Sequence, residues 1–276
     1  MSMVWQGDEQ PDLPPLNVAA WLRLVARLIV LFPTLLIMTC VMLLVRLIEY
    51  PFVGQRRPVS SHFPRLFSAL FFRVIGMAHR VQGKRMPHEG AVVANHSTWL
   101  DILALNARKR IFFVSKAEVA DWPGIGPLAK AAGTIFIRRD PRDAKAQVAL
   151  FEQRLHAGHK LLFFPEGTSS DNQRVLPFRS TLFAAFFAPE LREFMYVQPV
   201  TVIYDAPKGF DPRFYGWWGD MSFGDSFVRV LSAPRGGGVT LVYHPPCKVS
   251  DFATRKELAA KCEAAVRSAM PTEARK

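Results

Sequence analysis

Residues 28–45 form an unbroken run of 18 uncharged and mostly apolar side chains, with Arg23 and Arg27 ahead of it and Arg46 directly behind. As a helix rising 1.5 Å per residue the run would be about 27 Å long, slightly under the roughly 30 Å hydrocarbon core of a bilayer. A chain carrying such a segment must bury it in a protein core or give it to lipid. Pro33, about one turn inside, would kink the helix or mark its true start. A second apolar stretch, 63–77, carries Arg65 and Arg73, whose spacing sets them about 80° apart on a helix. One polar edge then faces headgroups while the other face enters the acyl region.

The charge distribution favours lipid. Of the chain's net +12, nine charges arise between Trp21 and His88, where ten basic residues face one acid, Glu49. A basic excess suits either nucleic acid or anionic lipid. Here the cations are interleaved with aliphatic runs and no nucleic-acid motif accompanies them, so anionic membrane lipids are the expected partner and nucleic acid is not. The first residues are acidic (Asp8, Glu9, Asp12), the apolar run comes late and no A-x-A site follows it. It therefore reads as an uncleaved anchor and not as a signal peptide. Two geometries stay open: a single span, or a helical pair dipping into one leaflet. Arginines on both flanks give no orientation by the positive-inside rule. The expected organisation is a polar tail over 1–18, a basic apolar helical anchor over 19–80 and a catalytic domain over 81–276.

Half of the 276 residues are hydrophobic, which excludes a disordered chain. Cys40, Cys247 and Cys262 lie far apart, so neither a disulfide framework nor a cysteine zinc site is expected. Beyond about residue 85, short apolar runs alternate with helical patterns. Strands are expected at 91–94, 111–115, 134–137, 160–164, 196–204 and 239–243, and helices at 99–107, 125–132, 143–157, 181–187 and 255–270, with Asp143 as an N-cap and Gly158 as a stop. This alternation implies an α/β fold, with a mixed, partly parallel central sheet flanked by helices.

Three segments carry chemistry. Asn95-His96-Ser97-Thr98-Trp99-Leu100-Asp101 follows the strand at 91–94. With Ser97 or Thr98 as helix cap and His96 ahead of the helix, imidazole and carboxylate can meet. The carboxylate would then fix the tautomer and leave the other ring nitrogen to take a proton from a hydroxyl; a buried, merely satisfied histidine is the alternative. Phe164-Pro165-Glu166-Gly167-Thr168 turns at the end of the strand at 160–164, where open α/β sheets bind ligands. Gly133 opens a strand that ends in Arg138 and Arg139, which suits a phosphate or a carboxylate.

Together these segments resemble the motif set of the glycerolipid acyltransferase family, the 1-acylglycerol-3-phosphate acyltransferases and their lysolipid relatives. N-H-x4-D is matched by Asn95, His96 and Asp101; G-x-I-F-I-x-R by Gly133, Ile135, Phe136, Ile137 and Arg139; F-P-E-G-T by Phe164 to Thr168; and V-x-P-V by Val197, Pro199 and Val200. The resemblance implies a membrane-bound O-acyltransferase that moves an acyl group from an acyl carrier protein or coenzyme A thioester to a lysolipid hydroxyl in one step. His96, held by Asp101, would be the catalytic base. Asn95, Gly133, Glu166, Gly167, Thr168 and Pro199 would shape the substrate site, while Arg139 and Lys116 would hold the acceptor's anionic head. No metal or redox cofactor is implied. The implied location is the inner, cytoplasmic membrane, with the catalytic domain on the cytoplasmic side.

One departure bears on the acceptor. Many lysophosphatidate enzymes continue the third block with arginine, whereas this chain has Ser169, which removes one phosphate-binding fork. The expected acceptor is 1-acylglycerol-3-phosphate, with lyso-ornithine lipid as the alternative: Ser169-Ser170-Asp171 and Trp217-Trp218-Gly219-Asp220-Met221 look similar to enzymes that complete lyso-ornithine lipid. A non-enzymatic membrane scaffold on this fold is a further alternative, which the presence of both His96 and Asp101 argues against. A serine hydrolase would need G-x-S-x-G, which does not occur. Gly124-x-Gly126 lacks the strand and tight turn of a dinucleotide fingerprint, and His156 with His159 reads as a solvated helix end and not as a metal site.

Overall fold

The computed structural model of the chain describes residues 5–271 apart from Asp8, 12–14 and Arg139. Two helices come first, α1 (Val18–Val53) and α2 (His62–Ile75), followed by β1 (Ala78–Gly83), β2 (Gly90–Ala94), α3 (Leu100–Arg108), β3 (Phe112–Lys116), α4 (Ile125–Ala132) and β4 (Ile135–Ile137). The second half contains α5 (Ala144–His156), β5 (Lys160–Phe163), α6 (Pro189–Arg192), β6 (Tyr196–Asp205), α7 (Phe223–Ser232), β7 (Gly238–Tyr243), β8 (Cys247–Lys248) and α8 (Arg255–Ser268).

The strands form one sheet in the order β1-β7-β6-β2-β5-β3-β4, with β8 added beside β6. All neighbours are parallel except that β6 runs antiparallel to β7 and β8. This is the mixed, largely parallel sheet that the alternation of elements implied. β2 lies in the middle and every residue in it is buried, as expected of a strand covered on both faces.

The two sheet faces carry separate cores. On one, Leu24, Leu31, Phe71 and Phe72 from the first two helices meet Leu100, Ala104, Val200, Val202, Tyr204 and Leu231. On the other, Phe151, Leu155, Phe183, Phe186, Leu258 and Cys262 cover Ala91, Val93, Leu161 and Val197. The first two helices are therefore built into the body of the fold. The expected boundary after residue 80 cuts through β1, whose Ala78, His79 and Arg80 pair with Gly238, Val239 and Thr240.

α1 extends over 36 residues and passes through Pro33 and Pro51 without ending, so Pro33 does not mark its start. Asn17 caps it, its side chain accepting from the Ala20 amide at 2.9 Å. The inward stripe of Ala20, Leu24, Arg27, Leu31 and Met42 is buried; Ile29, Phe32, Ile37, Leu44, Leu47 and Phe52 project outward. Its two leading arginines do not flank a free span. Arg27 donates to the carbonyls of Leu231, Ala233 and Ile75 at 2.7–2.9 Å, and Arg23 donates to that of Ser232 at 2.8 Å. Those of Leu231, Ser232 and Ala233 close α7 and that of Ile75 closes α2; a helix end leaves acceptors unsatisfied and favours cations.

Other differences are local. Asp143 precedes α5 with its side chain making no capping bond. The segment expected as a helix over 181–187 is a 3-10 helix, Ser180–Phe187. α6, α7, β1 and β8 were not anticipated.

Candidate active site

β2 ends at Ala94, and the next residue ties its loop to the sheet. The buried Asn95 side chain accepts from the Val202 amide at 2.8 Å and donates to the Val202 carbonyl at 2.9 Å. It continues the ladder where β2 stops. His96 follows, outside the helix, and α3 begins only at Leu100.

That short interval brings His96 and Asp101 together. Asp101 Oδ2 accepts from His96 Nδ1 at 2.7 Å and from the amides of Ser97 and Thr98 at 2.8 and 3.0 Å. A carboxylate in the first helical turn is favoured there by unpaired amides and the helix dipole. Asp101 thus gathers two amides at this helix start, the Thr98 hydroxyl accepts from the Leu100 amide at 3.5 Å, and Trp99 occupies the cap position without a side-chain cap. With Nδ1 engaged, Nε2 is the nitrogen available for proton transfer. The ring stacks on Phe164, with centroids 4.1 Å apart and planes 11° apart, and its side chain remains 18% exposed while Asp101 is fully buried.

The F-P-E-G-T segment closes on this loop from the end of β5. The His96 amide donates to Glu166 Oε1 at 2.8 Å, and the Leu176 amide to Oε2 at 3.0 Å. Burial pushes the Glu166 carboxyl well above the ordinary carboxylate range, against the opposing pull of those two amides. Ser170 donates through both N and Oγ to the His96 carbonyl, and the Trp217 amide donates to the Ser97 carbonyl at 2.8 Å. Gly167 turns the chain at φ 75°, a left-handed conformation that suits glycine.

Not every residue singled out from the sequence stands where a substrate could touch it. Glu166 and Asn95 are buried with their polar atoms taken by backbone, so both brace the loops and neither offers a free group to the acceptor. Pro199 lies buried inside β6, opposite Val93 of β2. Gly133 caps α4 in a left-handed conformation, φ 88°, ahead of β4 and at the strand edge opposite the His96 loop. Its carbonyl accepts from Arg154. These positions are motif members for reasons of packing. Lys116 ends β3 on the same edge of the sheet as His96. Arg139 lies outside the described residues.

The N-terminal tail contributes in a way that sequence patterning missed. The Trp5 amide lies 3.4 Å from Thr168 Oγ1, its carbonyl accepts from the Gly219 amide and its ring rests near Trp218 and Arg174. Trp5, in the segment read only as a polar tail, therefore lies against the E-G-T turn. Of the two histidines set aside as a metal site, His159 takes a hydrogen bond from Arg154 at 2.6 Å and stacks on Phe112, while His156 is exposed beside Glu152.

Comparison with known proteins bears on this arrangement. The Acyltransferase family profile matches residues 78–203, which spans β1 through most of β6 and includes the His96 and Glu166 loops. The chain is 53% identical over 272 residues to a lyso-ornithine lipid O-acyltransferase of Rhodobacter capsulatus, covering 99% of each chain. It is 33% identical over 235 residues to another of Brucella abortus, covering 80% of this chain and 86% of the relative. The crystal structure of the 1-acyl-sn-glycerophosphate (LPA) acyltransferase PlsC from Thermotoga maritima superposes with a TM-score of 0.63 at 17% identity, covering 92% of this chain and 96% of that one; at that identity the likeness concerns the fold.

Proposed function

The chain belongs to the acyltransferase family, as an acyltransferase of lysolipids, and on that premise we propose that it esterifies the free hydroxyl of lyso-ornithine lipid with His96 as general base. The observation that carries the mechanism is the 2.7 Å contact between His96 Nδ1 and Asp101 Oδ2 at the carboxyl end of β2. His96 Nε2 takes the proton of the acceptor hydroxyl as its oxygen attacks the thioester carbonyl. The C–O bond forms, the C–S bond breaks and the thiolate leaves, to be protonated by the imidazolium. Asp101 stabilises that imidazolium. Positioned base catalysis of this kind contributes roughly 10²–10⁴-fold.

The acceptor is chosen on two grounds. The relative that matches nearly the whole chain at 53% identity is named for lyso-ornithine lipid, and Ser169 stands where a phosphate-binding arginine would be expected. This reverses the order reached from the sequence, in which 1-acylglycerol-3-phosphate came first. The donor is a fatty acyl thioester of acyl carrier protein or coenzyme A, and no metal or redox cofactor takes part in the proposed chemistry.

The protein is membrane-associated. Among the described residues α1 is long and apolar enough to cross a bilayer, but its inward stripe and the Arg23 and Arg27 bonds run it along the body of the fold. That supports an anchor lying in one leaflet, where an acceptor reaches His96 without leaving the bilayer and anionic lipid meets the basic helices; the inner membrane, with the catalytic domain on its cytoplasmic side, is part of the proposal. The test is acyl transfer by the detergent-purified protein from labelled acyl carrier protein to lyso-ornithine lipid and to 1-acylglycerol-3-phosphate, side by side. Preference for the first is expected; preference for the second overturns the acceptor assignment.

A further inference from the structure

Asp101 uses only one of its two oxygens. Oδ2 holds His96 and two amides, whereas Oδ1 is buried without a hydrogen-bond partner. Two buried donors near it also lack a partner: Ser97 Oγ, whose own amide already bonds Oδ2, and the hydroxyl of Tyr204 of β6, which is 3% exposed and whose phenol feels the Asp101 carboxylate directly.

The fold sets this juxtaposition with care. Val200, Val202 and Tyr204 alternate onto the sheet face that carries α3, in the same core as Leu100 and Ala104, and Asp101 lies in the first turn of that helix. β6 runs on past the end of β2, and two buried asparagines replace the missing strand. Asn95 clasps the N–H and carbonyl of Val202, and Asn172, from the loop after the E-G-T turn, clasps those of Tyr204 at 3.1 and 2.9 Å. Asn172 adopts φ 67° to do so, a conformation that non-glycine residues seldom hold. Both loops of the site thus fix the backbone from which the phenol projects. Burial, and next the Asp101 charge it faces, hold that phenol well above the ordinary tyrosine range, so it stays a donor at working pH.

We propose that Tyr204 is a positioning residue for acyl transfer, its hydroxyl donating to Asp101 Oδ1 while His96 carries the proton taken from the acceptor. Orphaned buried groups are costly to leave unmade, and pairing these two satisfies both. The bond keeps the carboxylate ionised and its other oxygen turned to His96 Nδ1. The inference rests on His96 acting as the base.

Tyr204→Phe keeps the ring and removes only the hydroxyl. In the purified full chain it should lower kcat about tenfold, the effect of a hydrogen bond to a charged group, with acceptor KM unchanged. It should also move the acidic limb of the kcat/KM profile to higher pH. Without the donor, the His96–Asp101 pair holds its inactivating proton more tightly whichever partner carries it. Replacing Tyr204 with 3-fluorotyrosine, a stronger donor of nearly equal size, should move the limb to lower pH, and this variant serves if the phenylalanine one folds poorly. A limb unmoved by either replacement overturns the proposal. His96→Ala, assayed in parallel, separates the two ideas: activity there removes the base, while an inactive His96→Ala with unmoved Tyr204 profiles removes Tyr204 alone.

Discussion

The His96 backbone amide donates to Glu166 Oε1 at 2.8 Å across 70 residues of sequence, so the loop that carries the base is held by the carboxylate of a different motif. Glu166 Oε2 takes the Leu176 amide, which makes one side chain the common brace of both loops.

Glu166→Ala leaves two partly buried amides without their partner and should cost about 1–3 kcal/mol, read as a lowered Tm together with lost activity. If Glu166 instead served mainly to bind acceptor, KM would rise while Tm stayed put.

Glu166 also predicts a pH dependence of stability. Burial raises its carboxyl above the ordinary value of 4.5, so the folded state binds that proton more tightly than the unfolded chain. The stabilisation is complete below about 4.5 and is lost as pH climbs through the raised folded value. Thermal melting of the wild type against Glu166→Gln, which cannot ionise, should show this decline only in the wild type.

Arg27 ties α1 to the fold through three carbonyls. Arg27→Ala should destabilise by roughly 2–4 kcal/mol, since it strands buried acceptors. Arg27→Lys should recover little, because a compact ammonium cannot reproduce the planar fork. Melting in detergent measures both.

The two faces of α1 should respond differently to charge. Ile37 is 63% exposed and Leu31 only 5%. Ile37→Glu should weaken binding to anionic vesicles while the melting transition is retained, whereas Leu31→Glu should unfold the protein. Equal vesicle binding by Ile37→Glu and wild type would contradict a lipid-facing outer surface.

Much of this organisation was legible in the sequence, and the omissions have physical causes. The central strands β2, β5 and β6 are rich in apolar residues and were located to within a residue or two. β1, Ala-His-Arg-Val-Gln-Gly, is largely polar because it is an edge strand with solvent on one side, and β8 has only two residues. α7 did carry signals: Ser222 with Asp225 three residues on, where the Ser222 hydroxyl caps the Asp225 amide at 3.0 Å, and Phe227, Val230 and Leu231 at helical spacing. The His96–Asp101 contact was one of two readings that chain order allowed, and it holds because α3 begins only at Leu100, after His96. Motif membership did not separate contact from support: Asn95, Gly133, Glu166 and Pro199 stand out in sequence as strongly as His96, yet they hold loops and strands. Their burial and partners, which depend on residues up to 107 positions away, become visible only in the folded chain.

The most direct test of the mechanism is turnover of His96→Ala with an acyl thioester and lyso-ornithine lipid, in protein shown to melt and bind membranes like the wild type. A loss of at least about 100-fold is predicted from removal of a positioned base. Turnover near that of the wild type would contradict the account.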